Sequence, residues 1–231
     1  MVHCASLVHD DLPALDNDDM RRGKPSLHKA FGEAAAVLVG DLLIPWAFRL
    51  ITTSAPSELI KLKLADSLAS GWQKVCYGQY LDTLPPNDRP DPLTINRYKT
   101  AALFECAANF AAIALETNEP TGKLFSNFGS EVGMLFQALD DFTDLFGSDV
   151  QRGRCGSSDD RNAKKTCLTG RTVEESQDLL SAHRMRVHDL LRELETNFST
   201  KKFGNTAGLL GTLTTPPNHP RLTHTSRGAC G

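Results

Sequence analysis

The stretch Phe136-Gln137-Ala138-Leu139-Asp140-Asp141-Phe142-Thr143-Asp144 constrains this chain more than any other. Apolar residues recur in it at helical spacing, yet three carboxylates stand at i, i+1 and i+4. On a helix, Asp140 and Asp144 share a face, Asp141 lies three before Asp144, and Gln137 lies three before Asp140. Two carboxylates about 4 Å apart repel by roughly 4 kcal/mol at an effective dielectric near 20. A solvated acidic face would relieve that repulsion, and so would a divalent cation. Flanked by Phe136, Leu139 and Phe142, the patch is costly on an otherwise apolar helix, and a bound divalent cation is the expected remedy.

The rest of the chain reads as helices too. Residues 1–12 look like the end of a helix stopping near Pro13. Leu27 to about Thr53 is rich in Ala, Leu and Val and predicts a helix with a kink at Pro45. Ser54 is placed to cap a helix from Pro56 to about Ser70 that continues through 71–82. Four prolines mark a loop at Pro85–Pro92, and Thr94 is placed to cap a helix to about Glu116. Further helices are expected over Lys123–Phe146 and Val173–Phe198. The second carries Leu179, Leu180, Val187, Leu190, Leu191 and Leu194 on one broad face. No strand-period alternation stands out, so the expected class is all-α. One domain over residues 1–211 is expected, with a Thr-, Pro- and Gly-rich, poorly ordered tail over 212–231.

A second acidic cluster precedes all of these helices but the first: His9-Asp10-Asp11-Leu12-Pro13-Ala14-Leu15-Asp16-Asn17-Asp18-Asp19. On a straight helix Asp10 and Asp16 would diverge. Pro13 breaks the helix and lets Asp16 return toward the same ion. Magnesium takes oxygen ligands in a tight octahedron, usually one or two carboxylates with waters and phosphate oxygens. Two such patches facing each other suit a diphosphate clamped by several ions. Arg21 and Arg22 follow at once, adjacent and therefore differently directed, each a planar fork suited to phosphate or to a surface ion pair. Lys99 heads an apolar helix, where it either snorkels or binds phosphate. Lys164 closes a glycine-rich polar loop, and His3 lies seven residues before Asp10 on the same helical face.

Charge and cysteine content exclude several classes. A net charge of −3 gives no global basic field for nucleic acid. The six cysteines include no C-x-x-C pair, which leaves zinc and redox motifs without support. The apolar run Ala34–Ile51 is interrupted by Asp41, Pro45 and Arg49, so no membrane span is expected.

Taken together, these residues resemble the trans-isoprenyl diphosphate synthases, the farnesyl and geranylgeranyl diphosphate synthase family. His9 to Pro25 is similar to its first aspartate-rich motif, DDxxxxD followed by RRGKP. Phe31-Gly32-Glu33 and Gly40-Asp41 follow, Gly78-Gln79 and Asp82 resemble its GQ-x-x-D segment, Lys99-Thr100 its KT motif, and Phe136–Asp144 its second motif, FQxxDDxxD. The resemblance implies a helical bundle around a central cavity, usually a homodimer. It implies condensation of isopentenyl diphosphate with an allylic diphosphate (dimethylallyl, geranyl or farnesyl) to a C15–C20 product, geranylgeranyl diphosphate favoured. Asp10, Asp11, Asp16, Asp140, Asp141 and Asp144 would hold Mg2+, three ions per active site. Lys99, Thr100, Gln137 and Lys164 would act as catalytic groups and, with Arg21, hold the allylic diphosphate. His3 and Arg22 would hold isopentenyl diphosphate. Ala5 and Ser6, small residues before the first motif, would leave the cavity floor open to a longer product.

Two departures stand beside the resemblance. The family carries a further stretch before His3 with a lysine and an arginine for isopentenyl diphosphate, so an N-terminal truncation is expected. The family's K-x-T-[YF] is replaced by Lys164-Lys165-Thr166-Cys167. A catalytically weak regulatory subunit, paired with a full-length synthase as a heterodimer, is therefore the alternative reading. A cytoplasmic location is expected, or a plastid one if a transit peptide precedes Met1.

Overall fold

The computed structural model describes residues 1–54, 57–147 and 166–197. The expected tail from Thr212 and the loop with Lys164 lie outside them. The described chain is all-α apart from one minute hairpin. The helices are α1 (Val2–Asp10), α2 (Leu27–Phe31), α3 (Glu33–Ser54), α4 (Glu58–Thr83), α5 (Pro92–Asn96), α6 (Ala102–Ala114), α7 (Glu119–Phe146) and α8 (Val173–Asn197). A single wide π turn, Arg97–Ala101, joins α5 to α6.

Several boundaries differ from the sequence expectation, each for a local reason. The helix expected from Leu27 is divided at Gly32, which ends α2 with φ +89. Ser54 is the last residue of α3 rather than a cap. The cap of α4 is Ser57, whose hydroxyl accepts from the Ile60 N–H at 3.2 Å, and α4 then runs unbroken to Thr83. Thr94 is inside α5. Asp91 caps that helix, accepting the Thr94 N–H at 3.0 Å and its hydroxyl at 2.6 Å, with Pro92 in the first turn as its fixed φ favours. Helix α3 passes through Pro45 without ending. Helix α8 begins on a reciprocal capping box: Thr172 N–H donates to Glu175 and Glu175 N–H to the Thr172 hydroxyl.

Helix α7 is the spine, packed against α6 on one side and α8 on the other. Leu135, Ala138 and Phe142 of α7 close over Leu180 and Val187 of α8, with Leu168 from the preceding turn filling the same core. The expected broad face of α8 is borne out: Leu180, Val187 and Leu194 are buried at seven-residue intervals. Helix α4 lies against α6 and the π turn, while α1 and α2 lie on α3. Val2, Ile51, Leu68 and Cys106 form the core between α1, α3, α4 and α6.

Among the described residues, α3 is the one helix long and apolar enough to cross a membrane by length and composition. It also packs against α1 and α2 and carries Asp41, Pro45 and Arg49, and it leaves Leu38, Leu42, Trp46 and Leu50 exposed.

Candidate functional site

The first aspartate cluster is folded by its own backbone. Helix α1 ends at Asp10, and the chain turns so that the Asp16 N–H donates to the Asp10 carbonyl at 2.9 Å. Asn17, at φ +51, donates to the Leu12 carbonyl and finishes the turn. Six residues apart in sequence, Asp10 and Asp16 become neighbours. The hairpin of Met20–Arg21 with Lys24–Pro25 follows. Its two central residues, Arg22 and Gly23, both have positive φ, 52° and 75°, as a two-residue I′ turn demands.

That hairpin separates the two arginines. Arg21 turns inward: its Nε donates to Asp11 Oδ1 at 3.0 Å, its Nη2 pairs with the same carboxylate, and Asp18 lies 3.5 Å away. Asp11 and Asp18 are both buried, so Arg21 satisfies two carboxylates that would otherwise be costly. Arg21 is held above its usual range, because the Asp11 hydrogen bond and charge outweigh burial. Arg22 stays exposed. Partial burial, then the charges of Arg22, the N-terminus and Arg21, hold the His3 imidazole below its usual range. His3, Arg21 and Arg22 thus lie close enough for the two guanidinium charges to act on the imidazole.

The π turn is placed by close backbone approach. A Cβ on Gly78 of α4 would stand 2.6 Å from the Tyr98 carbonyl carbon, and one on Gly133 of α7 would stand 2.5 Å from the Ala101 Cα. Only glycine lets both helices press this tightly on the turn. The consequence is two consecutive side chains aimed at two clusters. Lys99 Nζ lies 2.9 Å from Asp82 and 3.7 Å from Asp16. Burial would depress this ammonium, but Asp10, Asp82 and Asp16 outweigh it and drive it well above its usual range. Thr100 donates its hydroxyl to Gln137 Oε1 at 2.7 Å, and Gln137 Nε2 donates to Asp141 Oδ1 at 2.8 Å.

In the second cluster the three aspartates differ. Asp140 is exposed, Asp144 is half-buried and Asp141 is buried. Burial pushes the Asp141 carboxyl up, with Asp144 adding to the effect, against hydrogen bonds from Gln137 and Cys167. The Cys167 thiol lies 3.2 Å from Asp141 Oδ2. Burial and the Asp141 charge push that thiol far above its usual range, so it remains an S–H donor.

Asp82 and Asp18 were not among the expected site residues. Asp82 was legible only as part of the Gly78-Gln79-x-x-Asp82 pattern. Asp18 looked like one more acid in an acidic run. Cys167 carried no signal beyond its place after Thr166. Ala5 is fully buried in α1, and Ser6 donates its hydroxyl to the His3 carbonyl. Lys164 lies outside the described residues.

The donor set suits a hard divalent cation, since every acidic group at the two clusters offers carboxylate oxygen. Among the described residues, no three His, Cys, Asp or Glu side chains converge into a closed metal cage. Magnesium usually keeps waters and takes substrate oxygens, so its site does not require a full protein cage. Lys99 and Arg21 mark by position where positive charge is wanted.

The polyprenyl synthetase family model matches residues 1–198. The chain belongs to the polyprenyl synthetase family. It is 38% identical over 203 residues to the farnesyl diphosphate synthase of Micrococcus luteus, covering 84% of this chain and 69% of that one. It is 37% identical to the Bacillus subtilis (strain 168) farnesyl diphosphate synthase, covering 79% of this chain and 64% of that one. It is 34% identical to the chloroplastic geranylgeranyl pyrophosphate synthase 7 of Arabidopsis thaliana, covering 85% of this chain and 59% of that one. The chain therefore spans between about three fifths and seven tenths of these relatives' lengths. In three dimensions it is similar to a Helicobacter pylori geranyltransferase solved with magnesium and isoprenyl diphosphate, with TM-score 0.78 and 27% identity over 92% of this chain and 71% of that one. The isoprenoid-synthase-type all-α fold expected from the sequence is the fold observed.

Proposed function

We propose that this family member is a trans-prenyltransferase that joins isopentenyl diphosphate to an allylic diphosphate and yields a C15–C20 prenyl diphosphate, geranylgeranyl diphosphate favoured. The observation that carries this reading is the pair Lys99 and Thr100. One is bound into the first aspartate cluster and the other, through Gln137, into the second. A diphosphate between the clusters would meet cations from Lys99 and Arg21, and carboxylates at both ends. Asp10, Asp11 and Asp16 on one side, and Asp140, Asp141 and Asp144 on the other, are the residues assigned to hold Mg2+, three ions being the proposed number. Bound magnesium would neutralise charge on the departing diphosphate.

The chain's own groups then have defined tasks. Lys99, Thr100, Gln137 and Lys164 orient the allylic diphosphate, and His3 and Arg22 receive isopentenyl diphosphate. The allylic C–O bond breaks with its electron pair leaving on diphosphate. The isopentenyl double bond supplies the new C–C bond, and the proton lost afterwards goes to the released diphosphate. Stabilisation of the leaving charge by fixed cations is the main contribution asked of the site. Homodimerisation is part of the proposal, the exposed apolar face of α3 being the surface that favours it. So is a cytoplasmic or plastid location, the latter in keeping with the chloroplastic relative. The relatives named above are synthases, and the regulatory-subunit reading finds no support among them.

The test is incorporation of labelled isopentenyl diphosphate by the purified chain, with magnesium and each of the three allylic primers, followed by chromatography of the product. A C15 or C20 diphosphate is expected. No incorporation with any primer, by this chain or by a version extended upstream, would sink the reading. Ala5→Tyr is expected to shorten the product; unchanged chain length would remove Ala5 and Ser6 from the product-length role.

A further inference from the structure

We infer that Cys167 is a positioning residue for the second aspartate cluster, fixing the Asp141 carboxylate through its S–H. The inference rests on the magnesium–diphosphate reading above and adds to it a residue outside the assigned set.

The two oxygens of Asp141 are held by different side chains. Oδ1 accepts from Gln137 at 2.8 Å, itself held by Thr100 at 2.7 Å, and Oδ2 accepts from Cys167 at 3.2 Å. A carboxylate restrained at one oxygen still swings about its χ2 bond, whereas one restrained at both keeps its plane. Cys167 is not loosely placed. The next residue, Leu168, is 1% exposed inside the core with Leu135, Ala138 and Phe142. The Cys167 carbonyl accepts the Arg171 Nε at 3.0 Å, and Thr166 and Thr169 close the turn on each other. The turn before α8 is thereby pinned to α7 beside the acidic cluster. A thiol at this place ties the geometry of Asp141 to the seating of that turn. Loss of the S–H removes the side-chain donor to Oδ2 and leaves the Cys167 backbone N–H as the partner from this turn, while Leu168 still holds the turn.

The test is calorimetric titration of the full chain with inorganic diphosphate, with and without MgCl2, for Cys167→Ser, Cys167→Val and Cys167→Ala. Thermal melts run beside it. Valine keeps the volume without a donor, alanine removes both, and serine keeps a donor. Val and Ala are expected to weaken magnesium-dependent diphosphate binding by about 5- to 20-fold, and Ser to stay within about twofold of the parent. If Ala does not fold, Val against Ser decides the matter. Parental affinity in the valine variant, or serine as weak as valine, overturns the role of the S–H. Melting temperatures that fall in all three without any change in the magnesium-dependent affinity assign Cys167 to packing alone and also overturn it. A parent chain that binds no diphosphate with magnesium overturns the functional reading itself and this inference with it.

Discussion

Lys99 Nζ lies 2.9 Å from Asp82 Oδ2, which puts an ammonium from the π turn against a buried carboxylate of α4. Asp82→Asn is expected to cost about 1–2 kcal/mol in urea unfolding, because Asp16, at 3.7 Å, is a more distant partner for the ammonium than Asp82. The folded Lys99 value is raised above its usual one. Its contribution is therefore fully present below about pH 10.4, the usual unfolded lysine value, and is lost only as pH rises through the folded value. The Asp82→Asn penalty should be flat from pH 6 to 9. A penalty that changes across that range would show that another titrating group dominates.

Gly78→Ala and Gly133→Ala should each press a methyl group into the backbone of the π turn. The expected cost is about 1–3 kcal/mol per substitution. Magnesium-dependent diphosphate binding should weaken more than for an alanine placed on the exposed face of α4. Calorimetry beside denaturation separates the two losses. Unchanged binding in either variant would mean that the turn relaxes without moving Lys99 and Thr100.

Asp141→Asn should separate stability from binding. Burial raises the Asp141 carboxyl above its unfolded value, so its ionised form opposes folding. That penalty is absent below the usual carboxylate value of about 3.9 and develops as pH rises through the folded one. The asparagine variant should melt at or above the parent temperature at pH 7, lose that advantage as pH falls below about 4, and bind magnesium–diphosphate more weakly. A large fall in melting temperature at pH 7 would contradict this.

Glu131 of α7 sits 3.3 Å from His183 Nδ1 of α8, with Arg186 at 3.8 Å. The His183 hydrogen bond, then the nearby positive charges, hold the Glu131 carboxyl below its usual range against burial. Its contribution is present above about pH 4.3 and is lost as pH falls through the lower folded value. Glu131→Gln should cost about 1 kcal/mol at pH 7 and nothing near pH 2. A pH-independent penalty would assign the effect to packing.

Much of this was legible in the chain itself. The i, i+1, i+4 aspartates on a greasy helix announced α7 and the acidic cluster it carries, because helical period and charge spacing are both local. The core face of α8 was legible for the same reason. Helix caps were misplaced by three residues at Ser54 and Thr94. Both have the right side chain, but Ser57 and Asp91 have it where the backbone is extended. Asp141 is buried beside Cys167, far along the chain, while Asp140 is exposed, and no local pattern encodes that difference. Arg21 reads as a phosphate ligand by composition. In the structure it also pairs with Asp11 and Asp18, partners that its place beside Arg22 in the sequence does not single out.

The backbone bond from the Asp16 N–H to the Asp10 carbonyl also makes the loop a ruler. The spacing of the two backbone positions is set by how many residues the turn contains, and side-chain rotation moves the carboxylates only about that spacing. Lengthening the segment between Asp11 and Asp16 by one residue would change the gauge of the first cluster while leaving every acid in place. Insertions there should thus be far less tolerated than substitutions at Ala14, whose side chain is exposed.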